Sequence, residues 1–456
     1  EAWVPIGTPE QPFNGKFVMT NGATIHNLFI EDCGLEYYGL FGYVGTEAYV
    51  NGVSIEGVKI ILDDENEENV TVGTMIGYCE ARGVNDVMYS TITALNKKSY
   101  ITASANDGFD GITVTNKKNA VVGGVIGQLG TEKFAYDLHC SINITVNNCS
   151  ESVVVGGVIG LNQGYTETCS FDGVIDDAGV YKFVINATAN KGAAIKIGGV
   201  AGENTFTVAS SSFAGKLLTE TAENVLAGGI VGMSSGLIER CAARSVQING
   251  GAYVGGLVGV FEINELLVAQ GSPSDFAGVY ESYASGALTG KKVGGLAGTV
   301  KRGTISNCYT TASLSGEAMA GFVVDLPRKS DTNCGKVKYC YSAATFDTNA
   351  GSAYWESASV IRQTNGWWAG NSKLAGCVEN CIYNTHDNDA EQSKKIDSIK
   401  RQYSYYILNK GYDCDDGRNS DENCKKVSTF TSRGSGFNIR IWNLVDGSYP
   451  TLLNVK

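Results

Sequence analysis

Gly123-Gly-Val-Ile-Gly127 returns as Gly156-Gly-Val-Ile-Gly160, Gly198-Gly-Val-Ala-Gly202, Gly228-Gly-Ile-Val-Gly232, Gly255-Gly-Leu-Val-Gly259 and Gly294-Gly-Leu-Ala-Gly298, and this recurrence decides the fold. Looser copies stand at Gly39-Leu-Phe-Gly42, Gly73-Thr-Met-Ile-Gly77 and Ala320-Gly-Phe-Val-Val324. With the second glycine as marker, at 39, 74, 124, 157, 199, 229, 256, 295 and 321, the steps run from 26 to 50 residues. Each step is one supersecondary unit, the mark of a repeat architecture. Uneven steps imply a fixed strand joined by loops of free length.

A second pattern follows most copies, clearest in Gly303-Thr-Ile-Ser-Asn-Cys-Tyr-Thr-Thr-Ala-Ser-Leu-Ser-Gly316. An apolar residue is followed three places later by a small one: Ile305 with Cys308, Ile238 with Cys241, Val337 with Cys340 and Val378 with Cys381, with Thr166 and Cys169 in the same frame. Ser replaces Cys at Ser90, Ser211 and Ser282. The residues beyond alternate with period two, as strands do. Each unit therefore carries at least two strands, the first reading as one strand across Gly-Gly-apolar-apolar-Gly with glycine at both edges to make corners. Stacked in parallel register about 4.8 Å apart, nine such coils span roughly 40 Å.

Thirteen cysteines suggest disulfides, but the column that exchanges Cys for Ser selects a small inward side chain. Cys169, Cys241, Cys308, Cys340 and Cys381 read as buried free thiols, with bonds between adjacent rungs as the alternative. Cys414 and Cys424 flank a polar loop and suit a closing bridge, while Cys334 with Cys340 and Cys377 with Cys381 are weaker pairs. Zinc is not expected, because Cys377-x3-Cys381 has only the distant His386 to add.

Composition narrows the class. Gly is 58 of 456 residues and Pro only 6, which excludes collagen-like and proline-rich disordered chains. A formal charge of −12 leaves no basic surface for nucleic acid. The acidic run Asp63 to Glu68 reads as a solvated loop rather than a calcium site. No apolar run reaches the roughly 18 to 20 residues of a membrane span. The start at Glu1 without Met is that expected of a secreted chain trimmed of its signal peptide, or of any trimmed chain. Asn69, Asn143, Asn148 and Asn186 head Asn-x-Ser/Thr sequons, acceptors for N-glycosylation if the source is eukaryotic.

The segments Val254-Gly-Gly-Leu-Val-Gly259 and Val293-Gly-Gly-Leu-Ala-Gly298, followed by Gly303-Thr-Ile-Ser-Asn-Cys-Tyr309, resemble the GLUG-motif repeat of bacterial adhesin-like and haemagglutinin-like surface proteins. The opening residues Trp3-Val-Pro-Ile-Gly7, Thr24-Ile-His-Asn-Leu28 and Tyr38-Gly-Leu-Phe-Gly42, and the ending Ile441-Trp-Asn-Leu-Val-Asp-Gly-Ser-Tyr-Pro450, resemble the same family. The resemblance implies an all-β, right-handed parallel β-helix (solenoid) outside the cell, and it carries no catalytic residue. The expected organisation is a β-helix of about nine coils over residues 1–345. A C-terminal cap over 346–456 would hold one amphipathic helix near 390–408 and a terminal strand near 438–454. The helix rests on Ile396, Ile399, Tyr403 and Ile407 sharing one face, and its task would be to cover the last coil. Trp355, Trp367 and Trp368 either pack in that cap or form an exposed platform for sugar.

Catalysis is not expected. Carboxylates do not recur at fixed offsets from the repeat, His26 reads as a packed strand histidine, and His139 and His386 adjoin no nucleophile. No cofactor motif is present; the glycine strands lack the helix a phosphate loop needs. The expected function is an extracellular, adhesin-like binding rod for glycan, host or matrix protein. The alternatives are a self-associating filament subunit and a polysaccharide-acting β-helix enzyme.

Overall fold

A computed structural model describes residues 1–19, 23–63, 68–84, 101–220, 222–263, 277–326 and 335–347, then 357–358, 378–379, 381–383, 405–408, 424–427, 440–443 and 450–455. Among these residues the chain is all-β and contains no helix. Strands of successive turns pair in parallel over both compact units, as a parallel β-helix requires. One unit comprises Glu1–Met233 with Val246–Ala252, the other Ser234–Ser245 with Tyr253–Lys456.

In the first unit a single turn of chain shows the design. Leu138–Ser141, Asn143–Cys149, Ser152–Gly156, Ile159–Asn162 and Tyr165–Glu167 are five short strands in sequence. The next turn lies on it without slippage over the glycine segment, Ser152 opposite Ala194 through Gly156 opposite Gly198. Parallel register aligns like with like. Ile30, Ile60, Ile112, Ile144, Ile185, Leu217 and Ile248 form one inward column across successive strands, each no more than 1% exposed. Burying a side chain of this size contributes roughly 1.5–3 kcal/mol, so the column is a continuous core rather than a local patch.

The expected single strand across Gly-Gly-apolar-apolar-Gly is corrected. Asn119–Gly123 ends at the first glycine, Gly124 and Val125 bend, and Ile126–Leu129 starts a strand of another sheet. The glycines are required by contact, since Gly123, Gly124 and Gly127 lie outside the left-handed region. A Cβ on Gly123 would stand 1.9 Å from the carbonyl oxygen of Ile126, across its own corner. On Gly124 it would stand 2.1 Å from the oxygen of Gly157 in the next turn and 2.4 Å from Cys140 Sγ; on Gly127, 2.6 Å from the oxygen of Gly77 in the preceding turn. The motif thus makes three approaches that any side chain would block. The first turn is one residue shorter here, Phe41 facing Ile76 while Tyr38 faces Val72, so Gly39 matches Gly73 rather than Thr74. Thr74, the extra residue, is buried and donates to the Gly124 carbonyl at 2.6 Å.

In the second unit Tyr283, Tyr309 and Tyr341 stack at 4.9 Å between ring centres, 4° and 7° from parallel. Trp442 leans on Tyr341 at 5.5 Å and is 2% exposed. It lies on Trp442–Asn443, paired antiparallel with Thr451–Leu452, and Tyr341 Oη donates to the Pro450 carbonyl. The chain ending therefore folds back over the tyrosine stack. Residues 390–404 of the expected helix lie outside the described residues, and its end is corrected: Tyr405–Leu408 is a strand, antiparallel to Cys424–Val427. Two tyrosines and an isoleucine in four residues favour the extended state there over the helical periodicity.

Candidate functional site: a tyrosine cluster at the glycine corner

Because the corner is sharp, the strands on its two sides face each other outside the core. One wall carries Tyr43, Tyr78, Gln128, Leu161 and Glu203 in register. The other carries Tyr37, Thr71, Val121, Val154 and Lys196. Side chains of the two walls meet. Tyr37 stands nearly perpendicular to Tyr43 at 5.4 Å and to Tyr78 at 5.6 Å, while Tyr43 and Tyr78 stack at 4.8 Å. Farther along, Lys196 Nζ donates to Glu203 at 2.5 Å. In the second unit the equivalent corner joins Lys292 to Asp325 at 2.8 Å and to Tyr253 Oη at 3.0 Å.

Electrostatics fix the protonation of these groups. Burial, then the Glu36 carboxylate, pushes the Tyr37 phenol up. Burial and Glu80 push Tyr43 up to about 12 and raise Tyr78, whose hydroxyl donates to Glu80 at 3.5 Å. Burial works against a charged Lys292, but its bonds to Asp325 and Tyr253 outweigh it and hold the ammonium above its usual value. The cluster Tyr37, Tyr43 and Tyr78 is therefore three neutral phenols beside carboxylates, a surface of π-faces, donors and acceptors. Over the same first turn runs the segment holding Trp3, whose indole N–H donates to the Leu40 carbonyl at 3.1 Å while the ring stays 40% exposed.

Trp355, Trp367 and Trp368 lie outside the described residues, as do Ser90, Cys414, His386 and residues 64–67 of the acidic run. Cys169, Cys241, Cys308, Cys340, Cys381, Ser211 and Ser282 are buried, and the five cysteines are free thiols, so Cys340 and Cys381 make no disulfide. Their column has a hydrogen-bonding task besides compactness. Cys169 donates to the Glu167 carbonyl, Ser211 to Ala209, Cys241 to Glu239, Ser282 to Tyr280, Cys308 to Ser306 and Cys340 to Lys338, always two residues back. In return the Cys169 amide donates to Ser211 Oγ at 3.1 Å, and the Cys241 amide to Ser282 Oγ at 3.0 Å. The residues before these six, Thr168, Ser210, Arg240, Glu281, Asn307 and Tyr339, are left-handed, a conformation that costs roughly 1–2 kcal/mol without glycine. Sγ or Oγ bridges that corner to the next turn. Cys79, Cys140 and Cys149 are also buried and free, and Cys33 is free and exposed; Cys149 repeats the pattern at another corner, following left-handed Asn148 and donating to the Asn147 carbonyl.

Among the sequon asparagines, Asn69 and Asn148 are exposed, whereas Asn143 and Asn186 are half-buried, Asn143 accepting from the Val184 amide. The packed reading of His26 is corrected: it is exposed and pairs with Glu56 at 3.4 Å, because its strand turns that residue to the outer face. His139 Nδ1 meets Ser170 Oγ at 2.6 Å.

Reasoning on sequence missed two groups. Tyr43 and Tyr78 each follow the last glycine of their motif, an offset visible in the repeat. Asp32, Lys117 and Tyr38 left no such signal: Lys117 Nζ, with its side chain 1% exposed, donates to Asp32 at 2.5 Å, and Tyr38 Oη donates to the same carboxylate at 2.8 Å. Burial alone would raise Asp32, but the bonds from Lys117, Tyr38 and the Gly34 amide hold it below the ordinary carboxyl range. Asp32 is thus a fixed anion, not a proton donor. No family model matches the chain, nor does any curated protein or solved structure.

Proposed function

We propose that this chain is a non-catalytic, extracellular, adhesin-like protein that binds glycan at the tyrosine cluster of its first unit. The observation that supports this most is the packing of Tyr37, Tyr43 and Tyr78 against one another beside Glu36 and Glu80. Sugars are recognised by aromatic faces together with hydroxyl and carboxylate partners, and neutral phenols supply the donors. Trp3, held by its own hydrogen bond and partly open, is a further exposed aromatic of the same unit. The resemblance to GLUG-motif surface proteins points the same way.

A glycan array tests this reading, followed by titration of the strongest hit. Tyr43→Ala and Tyr78→Ala should each weaken binding at least about tenfold, about 1.4 kcal/mol. Tyr283→Ala, in the second unit, should leave it unchanged. An array without hits, or a hit indifferent to all three substitutions, refutes the proposal. A filament subunit is the second reading, favoured by the exposed Trp3, Val4 and Ile6; concentration-dependent fibres would support it.

A further inference from the structure

Between Ser170–Asp172 and Val184–Ala189 the chain leaves the coil as a hairpin. Phe183 N donates to Gly173 O, Lys182 N to Val174 O and Asp176 N to Val180 O, each at 2.9 Å. Asp176 Oδ1 accepts from the amides of Ala178 and Val180, and Gly179 closes the turn at φ +80°. Tyr181 and Phe183 are buried and root the hairpin. Its outer residues are the reverse: Val174 is 42%, Ile175 51% and Val180 56% exposed.

Val174 is doubly unfavourable where it stands. Its φ of 51° is left-handed, an outlier for a β-branched residue, held by Asp172 Oδ1 accepting the Val174 amide at 2.9 Å. Asparagine, as at Asn27, Asn116, Asn148 and Asn307, takes that conformation at lower cost. Half-exposed on a strained backbone, Val174 adds little to this chain's own core, and with Ile175 and Val180 it makes three aliphatic side chains gathered at one tip.

We propose that hairpin 173–183 is a docking tip for a partner polypeptide whose surface interleaves aliphatic side chains with Lys or Arg. Charge selects this occupant. Asp172, Asp176 and Asp177 are exposed around the aliphatic residues, with Lys182 the one cation of the hairpin. A second copy would bring the same acidic hairpin on a chain of net charge −12, and an anionic membrane would repel it equally. Sugar is disfavoured because the exposed apolar residues are aliphatic and present no aromatic face. The inference stands apart from the glycan reading, on different residues of the same unit.

The test uses the whole protein and a short labelled peptide alternating lysine and valine, with its glutamate–valine counterpart as control. Fluorescence anisotropy should show the lysine peptide bound at least about tenfold tighter than the glutamate peptide. The triple variant Val174→Asn, Ile175→Thr, Val180→Thr keeps a left-handed former and two β-branched strand residues, and should lose at least about tenfold of that affinity. If it fails to fold, Ile175→Thr alone should give a smaller loss in the same direction. No binding, equal binding of the two peptides, or affinity unchanged in the folded variants overturns the proposal. Self-association of the wild type that the variant abolishes overturns it too, by assigning the tip to a second copy.

Discussion

Replacing Gly157 by alanine tests the account of the glycine corner where one turn meets the next. The new Cβ would lie 2.2 Å from the Gly199 carbonyl oxygen, 2.9 Å from Phe171 Cδ2 and 3.0 Å from Ile185 Cδ1. Carbon contacts are comfortable near 3.5–4.0 Å, so the next turn must retreat by about 1 Å or more. That retreat stretches two ladder bonds, Gly157 N to Gly198 O at 3.1 Å and Val158 N to Val200 O at 3.0 Å. Overpacking costs about 1–3 kcal/mol and each weakened bond about 1 kcal/mol, together about 3–5 kcal/mol. For units of this size 1 kcal/mol moves the melting midpoint by about 2–4 °C, so thermal circular dichroism should show a fall of about 6–20 °C. Gly179→Asn is the control, because a Cβ there meets nothing within 4 Å and asparagine accepts positive φ. A Gly157→Ala protein melting within about 2 °C of wild type would refute the close approach of successive turns.

Three further outcomes follow from the buried polar groups. Ser282→Ala strands the buried Cys241 amide and should cost about 1–3 kcal/mol by denaturant unfolding, whereas Ser282→Cys should stay within about 1 kcal/mol, since Cys serves the same column elsewhere. Asp32→Leu leaves the Lys117 ammonium buried without its carboxylate and should cost about 3–5 kcal/mol; adding Lys117→Met should recover most of the loss. Burial pushes Cys79 up to about 12 and Cys149 to about 11, while unfolded thiols ionise near ~8.5. From about pH 8.5 to 11 the unfolded chain therefore holds fewer protons than the folded one, and stability should fall with rising pH by up to ~1.4 kcal/mol per unit per thiol, read from urea midpoints under reducing conditions.

Sequence alone determined that the chain is a stack of β units, because parallel register makes equivalent positions neighbours and so repeats their side chains at each turn. Gly-Gly-apolar-apolar-Gly and the Cys/Ser column were legible for that reason: one residue type is demanded again and again by the same local geometry. Tertiary structure alone decided that the motif is a corner and not a strand, since two glycines are required by atoms in other turns. It also decided which aromatics meet. Tyr37 finds Tyr43 and Tyr78, Lys117 finds Asp32 85 residues away, and Trp442 finds Tyr341. The bend angle and the stacking of turns set those distances, and no spacing along the chain encodes them. The hairpin at 173–183 belongs with these, because a strained, exposed valine is recognised only once its backbone angle and its neighbours are known.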